Sequence, residues 1–134
     1  MVLSFDCDHL KKRLKTELLN DGNVEYWGIY DFSYKYRTRI YDHNDNEIAY
    51  VEKDIYENGK VNMFDYKGNS LGKIIRTENG YEIGDLVYKG NVDAGMIDNV
   101  LSIEEGKMTI TDESRILLCI MCLFGLIEIE RGND

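Results

Sequence analysis

Few residues in this chain are spaced for chemistry. Asp42-x-Asn44-x-Asn46 begins like a calcium-binding loop, in which alternate oxygen-bearing side chains converge on a hard cation. Glu47 stands where that loop needs its glycine and Lys53 where it needs a bidentate glutamate, so the segment reads as a hairpin turn. Cys119-Ile120-Met121-Cys122 has redox or zinc spacing, but no second cysteine pair exists. A thiolate within so apolar a run would be costly, and the two cysteines read as core. His9 and His43 fall in an expected helix and an expected turn without a recognisable nucleophile. The carboxylates show no spacing that singles out an acid and a base. The expectation is a non-enzymatic chain with no cofactor, no metal and no catalytic residue.

Two basic groups stand out. Lys11, Lys12 and Arg13, with Lys15 close by, precede Leu18; Lys35, Arg37 and Arg39 alternate with Tyr34, Tyr36, Thr38 and Ile40. Lys11, Lys12, Arg13, Lys35, Arg37 and Arg39 are the candidate contacts for an anionic lipid, set against the plainer reading of a solvated basic face. The balance elsewhere is acidic: 16 Lys+Arg against 25 Asp+Glu give a formal charge of −9. Residues 1–75 hold 11 basic and 13 acidic side chains, and residues 76–134 hold 5 and 12. Nucleic acid is therefore not an expected partner, because its binding draws on lysines and arginines that neutralise phosphates. Three cysteines, an odd number, and the lack of a charged-then-apolar leader point to a reducing, cytoplasmic setting.

The elements that must carry these groups are marked by turns. Asp45-Asn46, Asn58-Gly59, Gly68-Asn69, Asn79-Gly80, Gly90-Asn91 and Glu105-Gly106 recur at a spacing of about ten residues, one strand plus one turn. Strands are predicted over 25–32, 34–41, 47–56, 60–66, 70–77, 81–88, 92–97, 100–104 and 107–110. Internal repetition underlies the beat: Ile40-Tyr41-Asp42 with Asn46 matches Met63-Phe64-Asp65 with Asn69, and Tyr66-Lys67-Gly68-Asn69 recurs as Tyr88-Lys89-Gly90-Asn91. A period of about 22 residues is one hairpin, and one hairpin cannot bury its own apolar face.

Helices are expected at both ends. Leu10, Leu14 and Leu18, four residues apart, predict an amphipathic helix over 6–19 within an N-terminal segment 1–22, stopped at Asn20-Asp21-Gly22. Residues 25–110 form the hairpin meander, and 111–128 a second helix capped by Thr111 or Asp112. Ile116 to Ile127 are apolar on every side apart from Gly125, and a helix apolar all round is one that is enclosed. The run rises about 18 Å, short of the roughly 20 residues that cross a bilayer core. The whole of 1–134 reads as one domain, mainly β with helices (α+β), an antiparallel meander forming a β-barrel around an apolar C-terminal helix.

Phe32 to Asp42, continued by Asn46 to Glu52, resembles the opening hairpin of the LURP-one-related proteins of the tubby C-terminal-like superfamily. Asp112-Glu113-Ser114-Arg115-Ile116-Leu117-Leu118-Cys119-Ile120-Met121 is similar to that family's closing helix. The resemblance spans about residues 28–128 and implies a twelve-stranded barrel around a central helix. About nine strands are readable, which leaves open whether this barrel is complete. Tubby proteins bind phosphoinositide headgroups through basic residues, and no lysine or arginine here matches those positions residue by residue.

The expected role is a binding or scaffold domain for a protein partner, with the ten tyrosines and Trp27 as contact area. The alternative is recognition of anionic lipid at a membrane. If the C-terminal helix is the enclosed core, Leu118→Asp or Leu123→Asp unfolds the protein, since an unpaired buried charge exceeds a domain's margin. Thermal denaturation checks this, and a normally stable mutant rejects the barrel.

Overall fold

From Arg37 to Asp65, side chains alternate across each strand. Thr38, Ile40, Ala49, Val51, Val61 and Met63 are buried, and Arg37, Arg39, Tyr50, Glu52, Asn62 and Phe64 between them take the outer face. A computed structural model describes residues 1–34 and 36–131. Its strands are β1 (Val2–Ser4), β2 (Lys15–Asn20), β3 (Asn23–Asp31), β4 (Arg37–Asp42), β5 (Glu47–Lys53) and β6 (Lys60–Asp65). They continue as β7 (Ser70–Thr77), β8 (Gly80–Ile83), β9 (Leu86–Gly90), β10 (Ala94–Ile97), β11 (Leu101–Glu104) and β12 (Lys107–Ile110), and α1 (Ile116–Arg131) closes the chain. Each strand pairs antiparallel with the next, and β1 pairs with β12, so the twelve strands close into a barrel. The barrel is complete.

Every one of the six turn pairs contains a residue at positive φ: Asp45, Gly59, Gly68, Gly80, Gly90 and, in the last, Glu105 with Gly106. The repeat has a mechanism. Asp42 Oδ1 accepts from the backbone N–H of Asn44 and Asn46, and Asp65 Oδ1 does the same for Lys67 and Asn69. The third copy is shifted, because Val87 stands where the aspartate would be. Asn91 takes over, accepting from the N–H of Asp93 and Ala94.

The N-terminal helix expected over 6–19 is not formed. Only Leu10–Lys12 make a 3-10 turn, Arg13 is extended, and Lys15 onward is β2, paired with β3 from Lys15↔Ile29 to Asn20↔Asn23. A spacing of four fits a strand face as well as a helix face, and in β2 Thr16 and Leu18 alternate inward against Lys15 and Glu17. A short helix with three leucines gains less than a ladder of six residue pairs with β3. The single strand expected over 81–88 is two, β8 and β9, folded at Gly84, which stands at φ 63. Tyr34 and Tyr36 precede β4 rather than joining its inner face. The three strands beyond the nine expected are thus β1 at Val2–Ser4, which no turn pair marked, β2 in place of the helix, and the second half of the divided 81–88 segment.

An eight-stranded barrel is filled by its own side chains, whereas twelve leave a lumen. Helix α1 fills it. Cys119 to Ile129 are buried, and the helix meets Gly28 of β3, Thr38 of β4, Val61 of β6 and Ile74 of β7. Asp112 caps a 3-10 turn, Glu113–Arg115, that leads into α1, accepting from the Ser114 N–H. Leu123 is fully buried, while Leu118 is only partly so, which makes Leu123→Asp the sharper test of enclosure.

Two glycines admit the helix. A Cβ on Gly28 would stand 2.6 Å from Phe124 Cζ and 2.8 Å from its Cδ1, and one on Gly125 would stand 2.5 Å from Ile74 Cδ1 and 3.5 Å from Val61 Cγ1. A buried ring cannot retreat as the end of an isoleucine can. Gly28→Ala is expected to cost about 1–3 kcal/mol and Gly125→Ala less, read from urea midpoints at constant m-value.

Candidate functional site

Alternating connections of a meander gather at one end of the barrel. The end where α1 finishes carries the β1–β2, β3–β4, β5–β6 and β9–β10 connections, of which the first and last are tied to the helix by polar bonds. Arg131 Nη2 donates to the Arg13 carbonyl at 2.9 Å, and Glu130 Oε2 accepts from the Val92 N–H at 2.7 Å.

The tips at this end are apolar and exposed: Phe32 is 75% accessible, Ile55 70% and Tyr56 90%, with Leu14, Tyr34 and Tyr36 also exposed. Their backbone is set by aspartates. Asp31 Oδ1 accepts from the Ser33 N–H, and Asp54 Oδ1 accepts from Tyr56 and Glu57. The bond from the Tyr56 N–H is the largest cause holding the Asp54 carboxyl down to about 2. Because that pKa lies below the usual 3.8, the bonds hold the tip above the ordinary carboxylate range and release it as pH falls toward 2.

Beneath the tips lies a cavity of about 350 Å³ lined by Leu14, Tyr30, Phe32, Tyr36, Lys53, Glu128 and Arg131. Glu128 is 2% exposed and accepts from the Thr38 hydroxyl at 2.7 Å, with Arg131 Nη1 3.5 Å from the same oxygen. Desolvation pushes its pKa up, against the opposing pull of Arg131, Thr38 and Lys53. The rings carry cations of their own: the Arg131 guanidinium lies 5.4 Å from the Tyr30 centroid and the Lys53 ammonium 5.7 Å from that of Tyr36. The Tyr30 hydroxyl accepts from the Tyr36 N–H at 2.9 Å, fixing one wall.

The basic residues singled out in the sequence fall into two places. Lys11, Lys12 and Arg13 sit on the β1–β2 connection at this end; Lys11 is 3.9 Å from Glu130, and Arg13 pairs with Asp6 at 2.9 Å. Arg37 and Arg39 lie on the outer wall. Arg37 pairs with Glu52 at 2.7 Å between the rings of Tyr34 and Tyr50, and Arg39 binds Asp31 at 2.6 Å and Glu47 at 2.9 Å. Lys35 lies outside the described residues. Sequence reasoning did not find Lys53, Glu128 or Arg131. Glu128 alone left a signal, a carboxylate that directly follows the apolar run.

Cys119 and Cys122 are buried in the core, where desolvation raises both thiols, Cys119 to about 11. Among the described residues no group of three His, Cys, Asp or Glu is placed to hold a metal, and no helix is long and apolar enough to cross a membrane.

A carboxyl whose pKa is raised on folding costs stability increasingly as pH climbs above its ordinary 4.5, and nothing well below it. Glu128→Gln keeps an acceptor for Thr38 without the charge. It is expected to melt above wild type at pH 7, the gain vanishing in acid; an unchanged or lower melting temperature at pH 7 rejects the assignment of desolvation as the dominant effect. No protein-family model, curated protein or solved structure matches this chain.

Proposed function

We propose that this chain is a noncatalytic binding domain of the tubby-like, LURP-one-related type, acting in the cytoplasm, with the barrel end around Phe32, Ile55 and Tyr56 as its face for a protein partner. The carrying observation is the exposure of three large apolar side chains on neighbouring tips that aspartate-led turns hold in place. Exposed apolar surface of this kind marks interaction sites, and aromatic anchors dominate interface energetics. The family reading is supported by the closed twelve-stranded barrel around an apolar C-terminal helix, the arrangement the sequence resemblance implies.

Lipid recognition is the second reading, favoured by the same tips standing at the end that carries Lys11, Lys12 and Arg13. Arg37 and Arg39 contribute less to it, since each already has a carboxylate partner.

Ile55→Ser/Tyr56→Ser separates the two. A partner retained by wild type from native extract is expected to be lost from the double variant at unchanged melting temperature, while neither protein floats with vesicles. Flotation of wild type confined to phosphoinositide-containing vesicles, weakening with salt and lost in the variant, moves the assignment to lipid. Retention of the partner by the variant rejects this face.

A further inference from the structure

The cavity under the tips has a chemistry of its own. Its volume of about 350 Å³ lies within the roughly 300–1,000 Å³ of small-ligand sites. Leu14, Tyr30 and Phe32 supply apolar wall, and two cations, Lys53 and Arg131, face a single carboxyl that burial drives toward its neutral form. Among the described residues Lys53 makes no ion pair within 4.0 Å. Among the described residues Arg131 donates one hydrogen bond, to the Arg13 carbonyl, and stands 3.5 Å from Glu128, while its Nε has no partner, so its fork of donors is only partly used there. The local excess is positive in a protein of net charge −9.

A cationic ligand fits poorly. The ring faces that would cradle an ammonium are already approached by Lys53 over Tyr36 and Arg131 over Tyr30, and both would repel it. Tyr36 and Lys53 also line a neighbouring hollow of about 640 Å³, but Asp54 and Glu57 stand there too and repel an anion, which leaves the Leu14, Tyr30 and Phe32 side for the ligand.

We propose that this cavity binds a carboxylate carried on an aliphatic or aromatic body, the anion held between Lys53 and Arg131 and the body lying against Leu14, Tyr30 and Phe32. The carboxylate is that of a free small acid or the C-terminus of a peptide chain; the two present the same chemistry. This deepens the reading of the barrel end as a binding face by giving it a ligand. It depends on the cavity and not on the Ile55 and Tyr56 tips, so either proposal can fail without the other.

The test is a titration of the full chain followed by amide NMR, with octanoate, octanol and octylamine as probes. An acetylated tripeptide ending in phenylalanine, as free acid and as amide, completes the set. Octanoate is expected to shift resonances around Leu14, Tyr30, Lys53 and Arg131, with octanol weaker and octylamine without effect there. Lys53→Gln and Arg131→Gln are each expected to weaken octanoate about tenfold, the scale of one charge-assisted hydrogen bond, and Glu128→Gln to tighten it. Lys53 is partly exposed, so its variant tests the anion contact without disturbing the core. Binding of the peptide acid but not its amide assigns a chain terminus, and binding of octanoate alone a free acid. No response to any carboxylate, an equal response to octylamine, or variants that bind octanoate as wild type does overturns the proposal.

Discussion

The lumen of a twelve-stranded barrel has to be filled, and in this protein one helix fills it. Buried backbone polar groups need partners, and a helix satisfies its own internally, so it can enter a dry barrel that an irregular segment could not. The side chains of α1 are accordingly apolar on all faces from Cys119 to Leu126, with glycine at 125 where Ile74 and Val61 approach. Gly28 makes the matching concession on the wall, opposite Phe124. Hydrophobic burial is shared between strand and helix, and neither has a core without the other.

The same constraint generates the candidate site. A helix that emerges from the barrel turns polar in its last turns, and Glu128, Glu130 and Arg131 appear where the lumen opens. Each is met by a group on the wall or a connection: Thr38, the Val92 N–H and the Arg13 carbonyl. Polar side chains are thus brought to the mouth of an apolar lumen and ringed by Tyr30, Phe32 and Tyr36, a combination that suits an amphipathic ligand. Closure is thinnest at the neighbouring seam, where β1 and β2 share one residue pair, Ser4↔Leu19; the Arg13–Asp6 pair and the bond from Arg131 to the Arg13 carbonyl secure the connection between those two strands.

The outer wall follows a different rule. Trp27 stacks on Tyr41 at 4.2 Å and Tyr50 on Phe64 at 4.9 Å across adjacent strands, with Arg37 packed between Tyr34 and Tyr50. Such cross-strand pairs stabilise a sheet on its solvent side. The basic alternation at Arg37 and Arg39, conspicuous in the sequence, here serves ion pairs with Glu52, Asp31 and Glu47.

Much of the fold was legible because its causes are local. The aspartate-led turns at Asp42 and Asp65 depend on residues two and four positions away, and the Asp112 cap on a residue two away. Inward and outward alternation is a property of each strand alone. The N-terminal leucines were not legible, because a spacing of four satisfies helix and strand alike and pairing with β3 decides between them. The cavity was not legible at all. Thr38 and Glu128 are separated by 90 positions and Arg13 and Arg131 by 118, so only closure of the barrel around the helix brings them together. The amino-acid sequence by itself determined strands, turns and a helix too apolar to stand in water; the tertiary structure decided which charges share the mouth of the lumen, because that depends on distances no local pattern encodes.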